Sequence, residues 1–323
     1  MEYVQNDIFS ELYPKFVIDK PIRLIELFAG IGSQAKALKN LGVCFEHWKV
    51  VEFDKYAIKS YNAVHGTNFE TSDIRDVHAE DLEIRERERF CYIMTYSFPC
   101  QDLSVAGHQR GMKKESGTRS GLLWEVERIL DECGTELPHV LLMENVPMVI
   151  ADKNIEDFYA WREKLESLGY SSYVQILNAK DYGIPQNRAR CFMVSILGDY
   201  SYEFPKKQPL RFMLKDFLED EVDERFYLTE KQIAYYRENS EANARKGNGF
   251  RFDPVERERE SEQDRDHQDG QNGSDLDHGK LIVKGMVYSK NQKTHQCGAV
   301  YSSQGVARTL MARDYKGAML IEE

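Results

Sequence analysis

A short, mostly apolar run from position 22 to 28 gives way to Ala29-Gly30-Ile31-Gly32, and apolar residues then recur as Ala35, Leu38 and Leu41 at helical spacing until Gly42 supplies a stop. The pattern predicts strand, tight glycine turn, helix. A second strand-like run at 48–51 ends at Glu52, and 56–64 returns to helical periodicity. Further strands are predicted at 92–96, 140–143, 173–177 and 191–197, with helical intervals at 121–132 and 158–168. Strands alternating with helices predict an α/β domain whose mostly parallel sheet is covered on both faces.

The texture changes after Pro205. Residues 206–253 read as a charged, helical connection. Residues 254–280 carry only Val255 and Leu276 as aliphatic side chains, with nine acids against four bases, and predict an acidic disordered linker. From 280 to 316 there are seven Lys or Arg against the single Asp314, with Tyr288, Tyr301 and Tyr315 interspersed. The net charge of -11 argues against non-specific binding to a polyanion, but the linker alone contributes -5 of it and conceals this basic terminal module. The division expected is therefore 1–205, 206–253, 254–280 and 281–323.

The 323 residues, 41% of them apolar, suffice for one large α/β domain and a smaller appendage. No stretch approaches the roughly 18 apolar residues of a bilayer span. The first 20 positions, carrying Glu2, Asp7 and Glu11, do not read as a signal peptide, so a cytoplasmic protein without membrane partners is expected. Cysteines 44, 91, 100, 133, 191 and 297 have no paired spacing and read as free thiols, with no metal site expected.

Four constellations carry chemistry. In the first, Phe28 to Ser33 follows a strand and opens a helix, while Glu52 ends the next strand about 20 residues on, a spacing that suits a nucleoside-containing cofactor. Two glycines let backbone approach a ligand and an acid can take both ribose hydroxyls, although a glycine turn can also serve packing alone. Asp73 could accept from an adenine amino group or simply cap a turn. In the second, Ser97-Phe98-Pro99-Cys100-Gln101 follows a strand, placing a candidate nucleophile, Cys100, where α/β sheets bind ligands. In the third, an apolar strand ends in Glu144-Asn145, and a glutamate in apolar surroundings can deliver a proton near neutral pH. In the fourth, Arg188 and Arg190 enter a strand, where alternation would point both the same way, toward an anionic or carbonyl-rich ligand or toward solvent.

Together, in this order, the Pro-Cys-Gln, Glu-Asn-Val and Gln-x-Arg-x-Arg elements resemble the cytosine carbon-5 DNA methyltransferase family, of restriction-modification or phage type. The resemblance covers about residues 22–197. It implies a doubly wound, Rossmann-like methyltransferase sheet with a smaller, irregular target-recognition region, S-adenosyl-L-methionine as methyl donor, double-stranded DNA as partner, and a bacterial or phage-encoded enzyme. It further implies that Phe28 stacks on the adenine, Gly30 and Gly32 border the methionine part, Glu52 binds the ribose, Phe53 and Asp73 frame and read the adenine, and Pro99 and Leu123 close that pocket. Cys100, followed by Gln101, would add to cytosine carbon 6; Glu144 would protonate ring nitrogen 3; Arg190, and secondarily Arg188, would hold the ring carbonyl; Asn145 would position the Cys100 loop. Residues 104–120, with Ser104, Arg110, Lys113, Lys114 and Arg119, resemble the loop that closes over a flipped base, its cations meeting phosphates.

Two departures stand out. Ser97 replaces a glycine frequent before Phe-Pro-Cys, and the family's late Arg-x-Leu-Thr-Pro-x-Glu and Gly-Asn-x-Val elements are not found before Glu323. The expectation is a second polypeptide supplying them, or a truncated DNA-binding remnant. A transfer RNA cytosine methyltransferase shares the motifs, whereas a dehydrogenase leaves Cys100, Glu144 and Arg190 unexplained.

Overall fold

Strand β1 (Ile22–Leu27) is buried at all six positions, Arg23 and Glu26 included, as befits a mostly apolar central strand covered on both faces. In the computed structural model the described residues are 13–100, 102–103, 111–114 and 117–218, positions 231, 234 and 238, and short strands within 283–322. The chain divides into two units, Met1–Leu177 with Ala189–Pro205, and Asn178–Arg188 with Lys206–Glu323.

In the first unit β1 is followed by α1 (Ser33–Asn40), β2 (Phe45–Val51), α2 (Lys55–His65), the single-turn α3 (Ala79–Leu82), β3 (Cys91–Tyr96), α4 (Leu123–Cys133), β4 (Val140–Asn145), α5 (Ile155–Ser167) and β5 (Tyr170–Asn178). The two-residue β6 (Gln186–Asn187) belongs to the second unit, and β7 (Ala189–Leu197) returns to the first. Asp54 starts α2 by accepting the Tyr56 and Ala57 N–H groups, and Gly66 ends it in a left-handed conformation.

The six-stranded sheet runs β2-β1-β3-β4-β7-β5. Pairs β2-β1, β1-β3 and β3-β4 are parallel, while β7 lies antiparallel to β4 in a register that sets Glu144 opposite Phe192 and Asn145 opposite Cys191. From β1 the chain winds first to β2 on one side and then to β3 on the other, so the topological switch point lies between β1 and β3. The doubly wound α/β architecture is the one predicted. Periodicity could not supply the reversed β7, because alternation records which face is buried and not which way a strand runs. The chain between β5 and β7 contains only a three-residue helical turn at Ala179–Asp181 and the two-residue β6, and a return without a long crossover is antiparallel.

The main core packs α4 and α5 against one face of the sheet, and a smaller separate cluster gathers Ala29, Val50, Ile58 and Tyr61. Fully buried Trp161 on α5 donates its indole N–H to the Tyr96 hydroxyl at 3.1 Å and meets Tyr96 and Trp124 edge-on. Trp161→Ala should cost about 3–5 kcal/mol, the usual range for emptying a buried aromatic site. Chemical denaturation is the check, and a midpoint near wild type would mean that α5 contributes little to the core.

In the second unit β6 pairs in parallel with β10 (Ala307–Arg308). A three-stranded sheet runs β11 (Leu320–Glu322), β9 (Ala299–Ser302), β8 (Val283–Met286), with β8-β9 antiparallel and β9-β11 parallel. Of the connection expected at 206–253, Leu214–Phe217 forms one 3-10 turn and positions 231, 234 and 238 are helical. The linker expected at 254–280 lies outside the described residues. Among the described residues no helix is long and apolar enough to cross a membrane, and no group of three or more His, Cys, Asp or Glu could hold a metal.

Candidate active site

At the switch point the chain leaves β1 through a turn in which Phe28, Gly30 and Gly32 all have positive φ, of 56°, 57° and 79°. The turn is tied to β2 by the Ala29 N–H donating to the Val51 carbonyl at 3.1 Å. Glu52, just past the end of β2, accepts the Gly30 N–H on Oε2 and the Asp54 N–H on Oε1, each at 2.8 Å. The two glycines differ in what they require. A Cβ on Gly32 would come within 2.3 Å of His65 Nε2 and 2.6 Å of Tyr61 Cε2, so this position is closed by packing as well as by its dihedral. A Cβ on Gly30 would meet nothing within 4 Å, which leaves that side of the turn clear for a ligand. Phe53 exposes 73% of its surface beside Glu52 in sequence.

Beneath the turn lies a group that sequence reasoning passed over. Glu26 is buried within β1, where it accepts the Ala35 N–H at 3.2 Å and the Tyr61 hydroxyl at 2.5 Å, and Tyr61 in turn meets His47 Nδ1 at 2.7 Å. Burial pushes the Glu26 carboxyl above its ordinary range, opposed by these two bonds. An acid in the middle of an apolar strand was the available signal. Asp73 proves to cap the turn Ile74–Asp76, and both its oxygens are engaged by Arg75, whose side-chain hydrogen bond foremost holds the carboxyl below the usual range. Leu123 is wholly buried at the start of α4, in the main core.

The Cys100 segment leaves the carboxyl end of β3 and is held from several sides. Gln34 on α1 donates to Ser97 Oγ at 3.2 Å, and buried Asn145 at the end of β4 donates from Nδ2 to the Phe98 carbonyl at 3.0 Å. Ser120 Oγ donates to the Pro99 carbonyl at 2.6 Å, and the Leu103 N–H to the Cys100 carbonyl at 3.0 Å. Cys100 itself is partly exposed. Gln34, Asp102 and Ser120 were not picked out from the sequence, since nothing local marks a hydroxyl or amide whose partner lies tens of residues away.

Glu144, the penultimate residue of β4, is ion-paired through Oε1 with Arg190 Nε at 3.0 Å, and the two side chains are 19% and 16% exposed. The glutamate thus stands beside a guanidinium and not in apolar surroundings. Its neighbour Cys191 is buried, and desolvation followed by the Glu144 charge pushes that thiol up to about 12, which leaves it inert at neutral pH. The expected alternation of two arginines fails for Arg188. The strand starts only at Ala189, and Arg188 belongs to the second unit, its N–H donating to Asn178 Oδ1 at 2.9 Å and its carbonyl accepting from Ala179.

Of the basic loop, Lys113 and Arg119 are exposed, and Lys114 pairs with Glu127 on α4 at 2.9 Å while lying over the Trp124 ring. The Trp124 indole N–H donates to the Met112 carbonyl at 2.7 Å, pinning the returning end of the loop to α4. Gln101, Ser104 and Arg110 lie outside the described residues.

Residues 22–317 match the family model of the C-5 cytosine-specific DNA methylases. The chain is 44% identical over 262 residues to the orphan methyltransferase M.SssI of Spiroplasma monobiae, an alignment covering 64% of this chain and 67% of that protein. It is 34% identical over 262 residues to a type II methyltransferase of Lactococcus lactis subsp. cremoris, covering 66% and 72%. Among solved structures, the Entamoeba histolytica methyltransferase EhMeth shares the fold with a TM-score of 0.55 at 20% identity over 67% of this chain and 65% of that one. The S. pombe Dnmt2 methyltransferase does so with a TM-score of 0.52 at 22% identity, over 68% and 67%.

Proposed function

The chain belongs to the C-5 cytosine-specific DNA methylases, and from that premise we propose that it methylates carbon 5 of a cytosine turned out of a specific double-stranded DNA sequence, through a covalent adduct with Cys100. Its methyl donor is S-adenosylmethionine, which when bound supplies an electrophilic methyl group to carbon 5 of the activated ring. The residues around the glycine turn fit that donor. Glu52 offers a carboxylate already oriented by two backbone N–H groups, Gly30 leaves open space beside it, and Phe53 presents a bare aromatic face. Glu52 would take the ribose hydroxyls, with Phe28 and Phe53 against the adenine and Gly30 and Gly32 along the methionine part. Asp73, engaged by Arg75, would reach the adenine amino group only by sharing its oxygens, and Pro99 and Leu123 would back the pocket.

Carbon 5 of cytosine is a poor nucleophile, so the thiolate of Cys100 first adds to carbon 6 and turns the ring into an enamine. Electron density moves to ring nitrogen 3 as the carbon–sulfur bond forms, and Glu144 supplies the proton there while accepting from the exocyclic amine. Arg190, already paired with Glu144, stabilises the charge on the ring carbonyl. After transfer, the carbon 5 proton leaves to a base, the carbon–sulfur bond breaks with return of its electrons to Cys100, and nitrogen 3 gives its proton back to Glu144. None of these groups reaches a base stacked in a duplex, hence the extruded cytosine. The basic stretch at 280–316 and Lys113, Lys114 and Arg119 suit a phosphate backbone.

The observation that carries this reading is the joining of two adjacent strand ends. Asn145 bonds the Phe98 carbonyl two residues before Cys100, and the neighbouring Glu144 holds Arg190. The test is tritiated S-adenosylmethionine offered with mixed-sequence duplex DNA or with transfer RNA, followed by bisulfite sequencing of the product. Label in duplex DNA as 5-methylcytosine in a defined sequence context is expected. Label in transfer RNA alone, or in neither, would overturn the reading.

Glu52→Ala should weaken donor binding at least tenfold, since a hydrogen bond to a charged group contributes about 1.5–3 kcal/mol. Calorimetric titration of S-adenosylmethionine is the measurement. Unchanged affinity would leave Glu52 as a brace for the Gly30 and Asp54 amides and nothing more.

A further inference from the structure

Cys100 stands in a segment whose two preceding carbonyls and own carbonyl are each hydrogen-bonded. The Phe98 carbonyl is taken by Asn145, a residue of the catalytic strand end, but the Pro99 carbonyl is taken by the hydroxyl of Ser120, which no step of the reaction uses. Ser120 is wholly buried and Asp102 is 5% exposed. Groups so buried are costly unless their bonds are met, and these are met by each other and by the backbone around the nucleophile. The Asp102 N–H donates to Ser120 Oγ at 3.3 Å, while Asp102 Oδ2 accepts the N–H groups of Arg119 at 2.9 Å and Ser120 at 3.4 Å. The Gly111 N–H closes on the Asp102 carbonyl at 3.0 Å, and the Leu103 N–H on that of Cys100. One hydroxyl and one carboxylate therefore link the peptide before Cys100, the peptide after Gln101 and the first turn of the Ser120–Leu122 helix.

We propose that Ser120 and Asp102 form a clasp that positions the Cys100 thiolate, Ser120 by fixing the Pro99–Cys100 peptide and Asp102 by holding Ser120 against it. The proposal rests on Cys100 as nucleophile and adds the residues that aim it. A merely structural clasp would affect how much protein folds. A positioning clasp affects how fast each folded molecule reacts, because attack on carbon 6 depends on the thiolate standing in near-attack geometry, and a displacement of about 1 Å can cost on the order of a hundredfold in rate.

The experiment uses the full chain and a duplex carrying 5-fluorocytosine, in which the proton that must leave carbon 5 is replaced and the adduct accumulates. Single-turnover adduct formation is measured per molecule able to bind S-adenosylmethionine, so unfolded protein is not counted. Ser120→Ala is expected to slow adduct formation by about tenfold or more, with donor affinity and the KM for DNA within twofold of wild type. Ser120→Thr, which keeps the hydroxyl, should recover most of the loss. Asp102→Asn, which keeps the shape but weakens the charge-assisted bonds, should fall between them. Wild-type rates in Ser120→Ala, or equal losses in the alanine and threonine variants, would overturn the clasp. Absence of an adduct in the wild-type protein would overturn the Cys100 reading itself, which separates the two failures.

Discussion

Cys100→Ser should reduce methyl transfer by at least about a thousandfold, given that deleting a nucleophile elsewhere costs far more than that. A serine hydroxyl at the same place is a much poorer nucleophile, because its ionised form is scarce near neutral pH while a cysteine thiolate is accessible and intrinsically reactive. The substitution removes no hydrogen bond of the four that hold this segment from Gln34, Asn145, Ser120 and Leu103, three of which end on main-chain carbonyls and one on Ser97. Donor affinity should therefore stay within a factor of two, since the glycine turn and Glu52 are built on β1 and β2 and do not involve the thiol. Tritium transfer to duplex DNA and calorimetry on the same preparation give the two readouts. Residual transfer at one tenth of the wild-type rate would end the assignment of Cys100 as nucleophile and return the choice to a mechanism without an adduct.

Glu144→Gln is expected to lower kcat by about 10²–10⁴-fold, the usual contribution of a positioned proton donor. The amide keeps the size and one acceptor oxygen of the side chain but can neither deliver a proton to nitrogen 3 nor neutralise the guanidinium of Arg190, 3.0 Å away and largely buried. Losing the carboxylate leaves a charge with its partner gone, so part of the effect should appear as lower stability as well. Single-turnover rates together with donor titration distinguish the two. A drop in melting temperature with kcat within threefold of wild type would make the pair structural. A loss of kcat at unchanged donor affinity would support Glu144 as the acid. Adduct formation on 5-fluorocytosine DNA should slow in parallel, because addition at carbon 6 and protonation at nitrogen 3 are coupled.

Placed beside each other, these expectations order the site by the strand that carries each group. In the proposed mechanism the turn after β1 and Glu52 after β2 would govern the donor. The end of β3 carries Cys100, the proposed nucleophile. The paired ends of β4 and β7 carry Glu144 and Arg190, the proposed acid and its guanidinium partner. A doubly wound sheet brings all of them to one edge because parallel strands present their carboxyl ends together, and the reversed β7 adds its opposite, amino-terminal end to the same edge. That reversal is why Arg190, at the second position of β7, can face Glu144, at the second-last position of β4.

Much of this was legible along the chain. The apolar run of β1, the glycine turn behind it, the acid closing β2, the Pro99-Cys100 pair after β3 and the Glu144-Asn145 pair at the end of β4 are local features. Hydrophobic periodicity and turn chemistry act over a few residues, so they mark strand ends and special dihedrals without knowledge of the rest. The resemblance of these elements in sequence to one methyltransferase family followed from their order. What periodicity could not express was contact across the fold. It did not show that β7 inserts between β4 and β5 and runs backwards, that Arg190 pairs with Glu144 while Arg188 falls in the other unit, or that Asp73 is occupied by Arg75. Nor did it show that Gly32 is needed because Tyr61 and His65 press against it, or that Ser120 reaches back to Pro99. Each of these depends on strand order and register, which are settled only when distant segments bury their apolar faces together, and a side chain's partner is then whichever group that packing sets beside it.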